Sequence, residues 1–213
     1  EMELDIAAVS GSSIGAAIGG MYAAGLGPTE LAAVLESFRP GHFREVFRIN
    51  WHGRGLISGD SVRRFLEQTL PVQRFEQTRM PLKVVATDYW RREQVVFDSG
   101  SLIDAIRAST AVPGVFEPAV LNGRVLVDGA IKNTLPYELI REDCDFLIGL
   151  DVSNKSDDPD RIDSPRTLVM VLNSFRILTD TITEYKMRYD PVDLYFRLEL
   201  PGTLVVFTGA GNK

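Results

Sequence analysis

The sequence predicts an α/β protein whose sheet is covered by helices on both faces. Short apolar runs rich in valine, typical of buried strands, alternate along the chain with longer segments of helical character. The 213 residues are 45% hydrophobic and 24% charged, as in folded proteins with a core of their own. This length fits one domain, so we expect residues 1–213 to form a single unit.

The amino-terminal part of the chain is predicted to hold one strand and three helices. These elements are a strand at Leu4–Val9 and helices at Ile14–Ala24, Thr29–Phe38 and Ser61–Thr69. Gly25 ends the first helix, Pro28 occupies the first position of the second, and Ser58 is the N-cap of the third.

The alternation continues through the remaining residues. The expected strands are Leu82–Thr87, Gln94–Phe97, Ala119–Leu121, Arg124–Val127, Phe146–Val152 and Asp193–Leu200, and the expected helices are Leu102–Ser109, Pro136–Arg141 and Thr167–Arg188. Asn122-Gly123 joins two of these strands as a hairpin, because this pair favours the tight turn that a hairpin needs. Aspartate and proline in residues 154–165 predict a solvated loop.

The last long helix has apolar residues at helical spacing, namely Leu168, Val171, Leu172, Phe175, Leu178 and Ile182. This pattern predicts one face packed on the core, and the contact face of a dimer is the alternative. The sequence does not determine the oligomeric state.

Composition excludes several classes of protein. A single cysteine, Cys144, forms neither an internal disulfide nor a cysteine-based zinc site, and we expect it to be a packed residue. Two histidines leave little material for a metal centre, so we expect no metal and no cofactor. The net charge of −6 argues against a general nucleic-acid binder.

The turn between the first strand and the first helix holds the clearest candidate for chemistry. Gly11-Ser12-Ser13-Ile14-Gly15 matches G-x-S-x-G, in which a nucleophilic serine occupies a strained strand-to-helix turn. The glycines before and after Ser13 would avoid clashes with the strand and the helix. The amino end of the helix would favour negative charge that develops beside Ser13. A glycine-rich turn that only allows close helix packing is the alternative.

A serine nucleophile needs a neighbouring base. Both histidines, His42 and His52, lie in predicted loops early in the chain, before the candidate acids. The serine–acid–histidine order of α/β-hydrolases is therefore unsupported. Aspartates follow three predicted strands instead, at Asp88, Asp128 and Asp151. Gly129-Ala130 allows a sharp turn after Asp128, which favours this carboxylate without excluding the other two. For each of them an ordinary turn aspartate is the alternative.

These motifs together resemble the patatin-like phospholipase family. The resemblance rests on Gly11–Gly15 with the small-residue helix after it and on Asp128-Gly129-Ala130. Further similar segments are Pro81–Asp88, Ala108–Phe116 and Asn133 with Pro136, and the likeness runs from about Asp5 to Val152.

The resemblance implies a three-layer α/β/α fold with a mainly parallel central sheet. It also implies a Ser13–Asp128 dyad without histidine, metal or cofactor. Ser13 would form an acyl-enzyme and Asp128 would act as its general base. The substrates would be lipid acyl esters, as for a phospholipase A, a lysophospholipase or an esterase.

One family feature is missing from this sequence. The family has a glycine-rich loop upstream of the serine strand, whose amides form the oxyanion hole, and residues 1–10 contain no such loop. Glu1–Leu4 resemble the end of a helix that enters the strand, so we expect the upstream segment to be absent from the sequence. A non-catalytic lipid-binding relative and an acyltransferase with the same acyl-enzyme are the alternatives.

Residues 38–57 combine basic with aromatic or apolar side chains in an otherwise acidic chain. The arginines are Arg39, Arg44, Arg48 and Arg54, interleaved with Phe38, Phe43, Phe47, Trp51 and Ile57. This pattern predicts peripheral contact with anionic lipid or a lid over the acyl pocket, and an ordinary surface segment is the alternative.

Residues 6–27 lack charge, but they are mostly glycine, alanine and serine and would be a poor membrane span. The sequence therefore favours a cytoplasmic or membrane-peripheral location over an integral membrane one.

Overall fold

The structure is a computed structural model, and it describes residues 5–37, 57–152 and 167–197. The predictions for Glu1–Leu4, for most of the basic and aromatic segment 38–57 with its two histidines, and for the loop 154–165 lie outside the described residues.

The larger sheet has five strands, which are β1 (Val9–Ser12), β2 (Leu82–Asp88), β3 (Glu93–Phe97), β4 (Ala119–Leu121) and β5 (Arg124–Asp128). β3 lies along one edge of β2. β1 and β5 share the other edge, because β1 pairs with residues 82–85 of β2 and β5 pairs with residues 86–88. β4 and β5 form the predicted Asn122-Gly123 hairpin, with Val120 opposite Val125.

The strand directions make this a mixed sheet. Among its described strands only the β1–β2 pairing is parallel, and β2 pairs antiparallel with both β3 and β5. The expectation of a mainly parallel sheet is therefore not confirmed. Short hairpin connections at residues 89–92 and at Asn122-Gly123 account for the antiparallel β2–β3 and β4–β5 pairs, because a short loop can join only antiparallel neighbours. The antiparallel β2–β5 pair joins strands that are distant in sequence.

The helices are α1 (Ile14–Ala23), α2 (Pro28–Ser37), α3 (Gly59–Thr69), α4 (Leu102–Ser109) and α5 (Thr167–Tyr189), with short 3₁₀ helices at Phe75–Gln77, Gly129–Ile131 and Tyr137–Asp143. α1 and α4 cover one face of the sheet. They approach so closely that a Cβ at Gly20 would lie 2.7 Å from the Ile106 side chain. Met21, Leu82 and Val84 are buried in the same core.

The opposite face of β2 is covered by the 3₁₀ helix Tyr137–Asp143. The Lys83 ammonium donates to the Leu139 carbonyl at 2.6 Å and lies 3.1 Å from Asp143. The alternation of strands and helices predicted along the chain is present, and the structure is an α/β fold.

A second sheet contains β6 (Ile148–Asp151) paired in parallel with β7 (Leu194–Arg197), and α5 precedes β7. Its small core is formed by Tyr137, Leu147 and Val192, with Cys144 packed at the edge. Residues 198–200 of the predicted last strand lie outside the described residues.

Two predicted elements are placed differently in the structure. The first strand is Val9–Ser12 and not Leu4–Val9, because backbone pairing with β2 and not apolar side chains defines it. In α5 the buried residues include Leu172, Thr179 and Thr183, whereas Val171, Leu178 and Ile182 of the predicted buried face are exposed.

No helix among the described residues combines the length and apolar composition needed to cross a bilayer. Residues 6–27 contain β1 and α1, which are joined at Ser13.

Candidate active site

Ser13 occupies the turn between β1 and α1 in an unusual backbone conformation. Its φ is 54° and its ψ is −125°, a combination that costs a residue with a side chain about 1–3 kcal/mol. The Ser13 carbonyl accepts hydrogen bonds from the amides of Ala16 and Ala17, so the strained residue directly precedes the first helical turn. The predicted strand–turn–helix setting of the serine is therefore present.

The two glycines of the motif play different roles. A Cβ at Gly11 would lie 2.4 Å from the Gly15 carbonyl oxygen, so any side chain there would collide with the start of α1. A Cβ at Gly15 would meet no heavy atom within 4 Å. The sequence interpretation that both glycines avoid clashes is correct for Gly11 and wrong for Gly15, which instead lines the neighbouring cavity.

The structure brings Ser13 and Asp128 together. The Ser13 hydroxyl donates to Asp128 Oδ2 at 2.5 Å, and the Ala130 amide donates to Oδ1 at 2.8 Å. The Asp128 side chain is 1% exposed. Burial raises its pKa to about 6, against the opposing effect of the hydrogen bonds from Ser13 and Ala130.

The register of the sheet explains how two residues so far apart in sequence meet. Ser12 pairs with Val85 at the end of β1, and Asp128 pairs with Ala86 at the end of β5. β1 runs parallel and β5 antiparallel to β2 along the same edge, so their carboxyl ends face each other. The Thr87 hydroxyl also donates to the Asp128 carbonyl at 2.9 Å, which holds this end of β5 in place.

Gly129 allows the chain to turn beside the dyad. A Cβ there would lie 2.1 Å from the Val85 carbonyl oxygen and 2.5 Å from Ser12 Oγ. The chain therefore passes too close to β1 and β2 for any larger residue. The Ala130 amide is brought onto the Asp128 carboxylate by the same turn.

Ser109 is a site residue to which the sequence assigned no role. Its hydroxyl accepts from the Ser13 amide at 2.9 Å and donates to the Val85 carbonyl at 2.5 Å, and the residue is fully buried at the end of α4. It thus links the serine turn to β2. The signal in the sequence was weak, because it consists of one small polar residue at a position where the helix is otherwise apolar.

The two other candidate aspartates have different environments. Asp88 is buried, and its Oδ1 accepts from the amides of Trp90 and Arg91, so it caps the hairpin turn. Asp151 accepts from the Tyr195 hydroxyl at 2.5 Å and lies 3.7 Å from Arg197. Of the three aspartates, Asp128 is the one that bonds to Ser13.

A cavity of about 260 Å³ opens beside the dyad. Ser13, Gly15 and Asp128 form one part of its wall. Most of the remaining wall is apolar and includes Val112, Val115, Leu135, Leu150, Leu172 and Phe175. The cavity thus offers an apolar chain a place next to the half-buried Ser13 hydroxyl and the buried Asp128 carboxylate.

The described part of the chain contains no group of three or more His, Cys, Asp or Glu side chains that would hold a metal ion. The pair Ser13–Asp128 has the elements of nucleophilic catalysis, which are a hydroxyl and a base of raised pKa within hydrogen-bond distance. His42 and His52 lie outside the described residues.

Several known proteins are similar to this chain in sequence. An uncharacterised NTE family protein of Mycobacterium bovis is 31% identical over 174 residues, which are 81% of this chain and 48% of the relative. The lysophospholipase NTE1 of Kluyveromyces lactis is 26% identical over 161 residues, which are 74% of this chain and 11% of that protein. The NTE1 lysophospholipase of Saccharomyces cerevisiae is 24% identical over 162 residues.

The chain spans about half the length of the mycobacterial relatives that it matches. A family model described as patatin-like phospholipase matches residues 1–140, which include the serine turn and the Asp128 turn. Because this match covers well over half of the sequence, the chain belongs to the patatin-like phospholipase family.

Proposed function

We propose that this chain is a lipid acyl hydrolase of the phospholipase A, lysophospholipase or esterase type, with Ser13 as the nucleophile and Asp128 as the general base. The observation that carries the proposal is the 2.5 Å hydrogen bond from the Ser13 hydroxyl to the buried Asp128 carboxylate, at the wall of an apolar cavity. Family membership and relatives named as lysophospholipases support the substrate class.

In the first half of the reaction, Ser13 Oγ attacks the carbonyl carbon of the ester and its proton passes to Asp128 Oδ2. The tetrahedral intermediate then collapses, the carbon–oxygen bond to the alcohol breaks, and the leaving alcohol takes the proton from Asp128. An acyl group remains on Ser13. The raised pKa of Asp128 suits this exchange, since a stronger base accepts the hydroxyl proton more readily.

In the second half, a water molecule attacks the acyl carbon and gives its proton to Asp128. Collapse of the second intermediate breaks the bond to Ser13 Oγ, which regains the proton, and the fatty acid leaves. Asp128 returns to the carboxylate in each turnover. A single base that accepts and returns one proton in each half is sufficient, so no histidine is needed.

The negative oxygen of each intermediate needs hydrogen-bond donors. Ile14 follows the nucleophile and opens α1, and its amide has no acceptor within the helix because it is in the first turn. This amide is our candidate for one donor.

The test is covalent labelling with a fluorophosphonate, which reacts with activated serines. The protein is the full natural chain, including any residues that precede Glu1. We expect labelling of the unchanged protein and none of Ser13→Ala or Asp128→Asn. Asp88→Asn is the matched control, because the amide oxygen can still accept from Trp90 and Arg91, and it should label normally.

A folded protein that stays unlabelled would overturn the proposal and favour a non-catalytic lipid-binding relative. If the unchanged protein labels, its acyl-enzyme can be offered water and an alcohol acceptor together. Release of free fatty acid in preference to a new ester supports a hydrolase, and the reverse preference supports an acyltransferase.

A further inference from the structure

We propose that the β2–β3 hairpin forms a docking surface for an anionic lipid bilayer next to the active site. This hairpin surface consists of Tyr89, Trp90 and Arg92 at the hairpin turn together with Ile131 and Lys132. Binding to the bilayer does not depend on the proposed hydrolysis, whereas its effect on turnover rests on that proposed function.

Two large aromatic side chains are exposed at the hairpin turn. Trp90 is 75% and Tyr89 is 52% exposed, and their rings meet edge to face with centroids 5.0 Å apart. Tryptophan and tyrosine combine a large apolar ring with a polar tip, and this combination favours the boundary between lipid tails and headgroups. Such a pair at the tip of a hairpin is suited to insertion into that boundary.

Positive charge surrounds the aromatic pair, although the chain as a whole has a net charge of −6. Arg92 and Lys132 are exposed, and neither side chain forms an ion pair with another of the described residues. Arg91 and Arg124 lie near Asp88 and Glu93, which partly neutralise them. The unpaired charges at Arg92 and Lys132 complement anionic lipid headgroups.

The hairpin turn is held in place before any lipid binds. Asp88 Oδ1 accepts from the amides of Trp90 and Arg91, and the Asp88 carbonyl accepts from the Arg92 amide at 2.9 Å. The Tyr89 amide donates to the Val125 carbonyl of β5 at 2.9 Å. Because these bonds order the turn, little conformational entropy remains to be lost when the aromatic rings enter a lipid surface.

The hairpin surface borders the active site through the Gly129–Ile131 turn. Ile131 and Lys132 line a cleft of about 330 Å³ with Tyr89 and Trp90, whereas Ala130 lines the cavity that contains Ser13. Adjacent residues of one short turn thus face the hairpin cleft and the acyl cavity. A bilayer bound at the hairpin would therefore lie one short turn away from the cavity that contains Ser13.

The first experiment uses Trp90 as its own reporter. Residues 1–213 contain two tryptophans, so Trp51→Phe leaves Trp90 as the reporter within this stretch and Trp90→Phe leaves Trp51. Each full-length protein is mixed with vesicles of phosphatidylcholine alone and with vesicles of phosphatidylcholine and phosphatidylglycerol in equal amounts. We expect Trp90 emission to shift to the blue, and to be quenched by brominated acyl chains, only with the anionic vesicles.

The second experiment tests the charges. Reversal of Arg92 and Lys132 to glutamate should weaken partitioning into the anionic vesicles by at least about 25-fold, since each basic residue near such a surface contributes about fivefold. Arg188→Glu is the matched control, because Arg188 is an exposed arginine on α5. This control should bind as the unchanged protein does.

Measurements of turnover distinguish a loss of bilayer docking from a loss of catalysis. Trp90→Ser and the double charge reversal should reduce hydrolysis of lipid in anionic vesicles in parallel with binding, and should leave hydrolysis of a soluble short-chain ester unchanged. If the unchanged protein hydrolyses no soluble ester, the proposed function fails, and the vesicle measurements still decide the docking proposal.

Three results would overturn the docking proposal. The first is unchanged vesicle binding by the double charge reversal. The second is a shift of Trp51 emission without a shift of Trp90, which would assign docking to residues 38–57. The third is charge-dependent binding to vesicles in which Trp90 emission does not change, which would indicate adsorption by charge alone without contact between the aromatic pair and the bilayer.

Discussion

Asp128 has the two properties that a base for a serine hydroxyl requires. It lies within hydrogen-bond distance of Ser13 Oγ, and burial raises its pKa from the ordinary range of an aspartate to about 6. A carboxylate in water would be a weak base for this proton transfer. The protein environment therefore sets the protonation behaviour of the proposed mechanism.

The raised pKa predicts the dependence of activity on pH. Asp128 must be unprotonated to accept the Ser13 proton, so kcat/KM for a soluble ester should fall as the pH decreases through about 6 and should level off above it. An ordinary aspartate would place this midpoint near 4. A flat profile between pH 5 and 8 in a protein that stays folded would contradict the assignment of Asp128 as the base.

We infer that Ser109 positions Ser13, because its hydroxyl accepts a hydrogen bond from the Ser13 amide. Ser109→Ala removes the partner of that amide and of the Val85 carbonyl. We expect kcat for a soluble ester to fall tenfold or more with little change in KM, and stability to fall by about 1–3 kcal/mol. The pH midpoint should not move, because Asp128 keeps its own contacts.

Thr110→Ala is the control for this prediction. Thr110 follows Ser109, and its hydroxyl bonds only to carbonyls of α4. If Ser109→Ala loses stability but keeps its kcat, Ser109 supports the fold without positioning Ser13.

At the scale of elements, the serine turn depends on close approach between β1, α1 and the Gly129 turn. A Cβ added at Gly11 would collide with the start of α1, and a Cβ added at Gly129 would collide with β2. In each case the nearest atom is a backbone oxygen, which cannot rotate away as the end of a side chain can.

Three alanine substitutions test this geometry. Gly11→Ala and Gly129→Ala should each lower the free energy of unfolding by about 3 kcal/mol or more and abolish probe labelling, because backbone must move to admit the Cβ. Gly15→Ala should leave stability unchanged or raise it by up to about 1 kcal/mol, since its Cβ meets open space in a helix. Equal losses for Gly11→Ala and Gly15→Ala in denaturant unfolding would contradict this account.

α5 shows why a helical pattern of apolar residues can indicate the wrong face. Thr179 and Thr183 are buried, and their hydroxyls donate to the carbonyls of Arg176 and Thr179 in the preceding turn. A threonine satisfied in this way can face the interior at little cost. A hydropathy scale counts threonine as polar. The sequence pattern therefore left Thr179 and Thr183 out of the predicted buried face and included residues that are exposed.

At the scale of the whole molecule, one partly buried cluster connects α5 to the segment after Asp128. The Lys186 ammonium donates to Asn133 Oδ1 at 2.9 Å, to the Leu135 carbonyl at 2.6 Å and to Glu138 at 2.5 Å. It also lies 4.3 Å from the centre of the Tyr137 ring. Burial lowers the pKa of Lys186, and the partner carboxylate of Glu138 opposes that effect.

Loss of this cluster should loosen the wall of the acyl cavity. Lys186→Met leaves Asn133 and Glu138 without their cationic partner, so we expect a loss of about 1–3 kcal/mol in unfolding free energy. KM for lipid esters should rise, because Leu135 and α5 both line the cavity. Arg188→Met, an exposed change on the same helix, is the control, and equal stability of the two variants would contradict a structural role for the cluster.

The sequence alone indicated two residues of the candidate site, Ser13 and Asp128, and the class of the fold. Ser13 was identified because a glycine-rich turn after an apolar strand has strong local preferences, which neighbouring residues specify. Local pattern favoured Asp128 without excluding Asp88 and Asp151, and the resemblance to the patatin-like family implied its pairing with Ser13. The same local patterns predicted most helices and the Asn122-Gly123 hairpin, and the structure contains them.

Only the tertiary structure decided which residues meet. It shows that Asp88 caps a hairpin. Contacts between distant segments place β1 and β5 end to end along one edge of β2 and bring Ser109 to the Ser13 amide. Such contacts follow from strand register and from the burial of whole faces, which no local pattern specifies. For the same reason, only the tertiary structure decided the strand directions, the buried face of α5 and the position of the hairpin surface beside the acyl cavity.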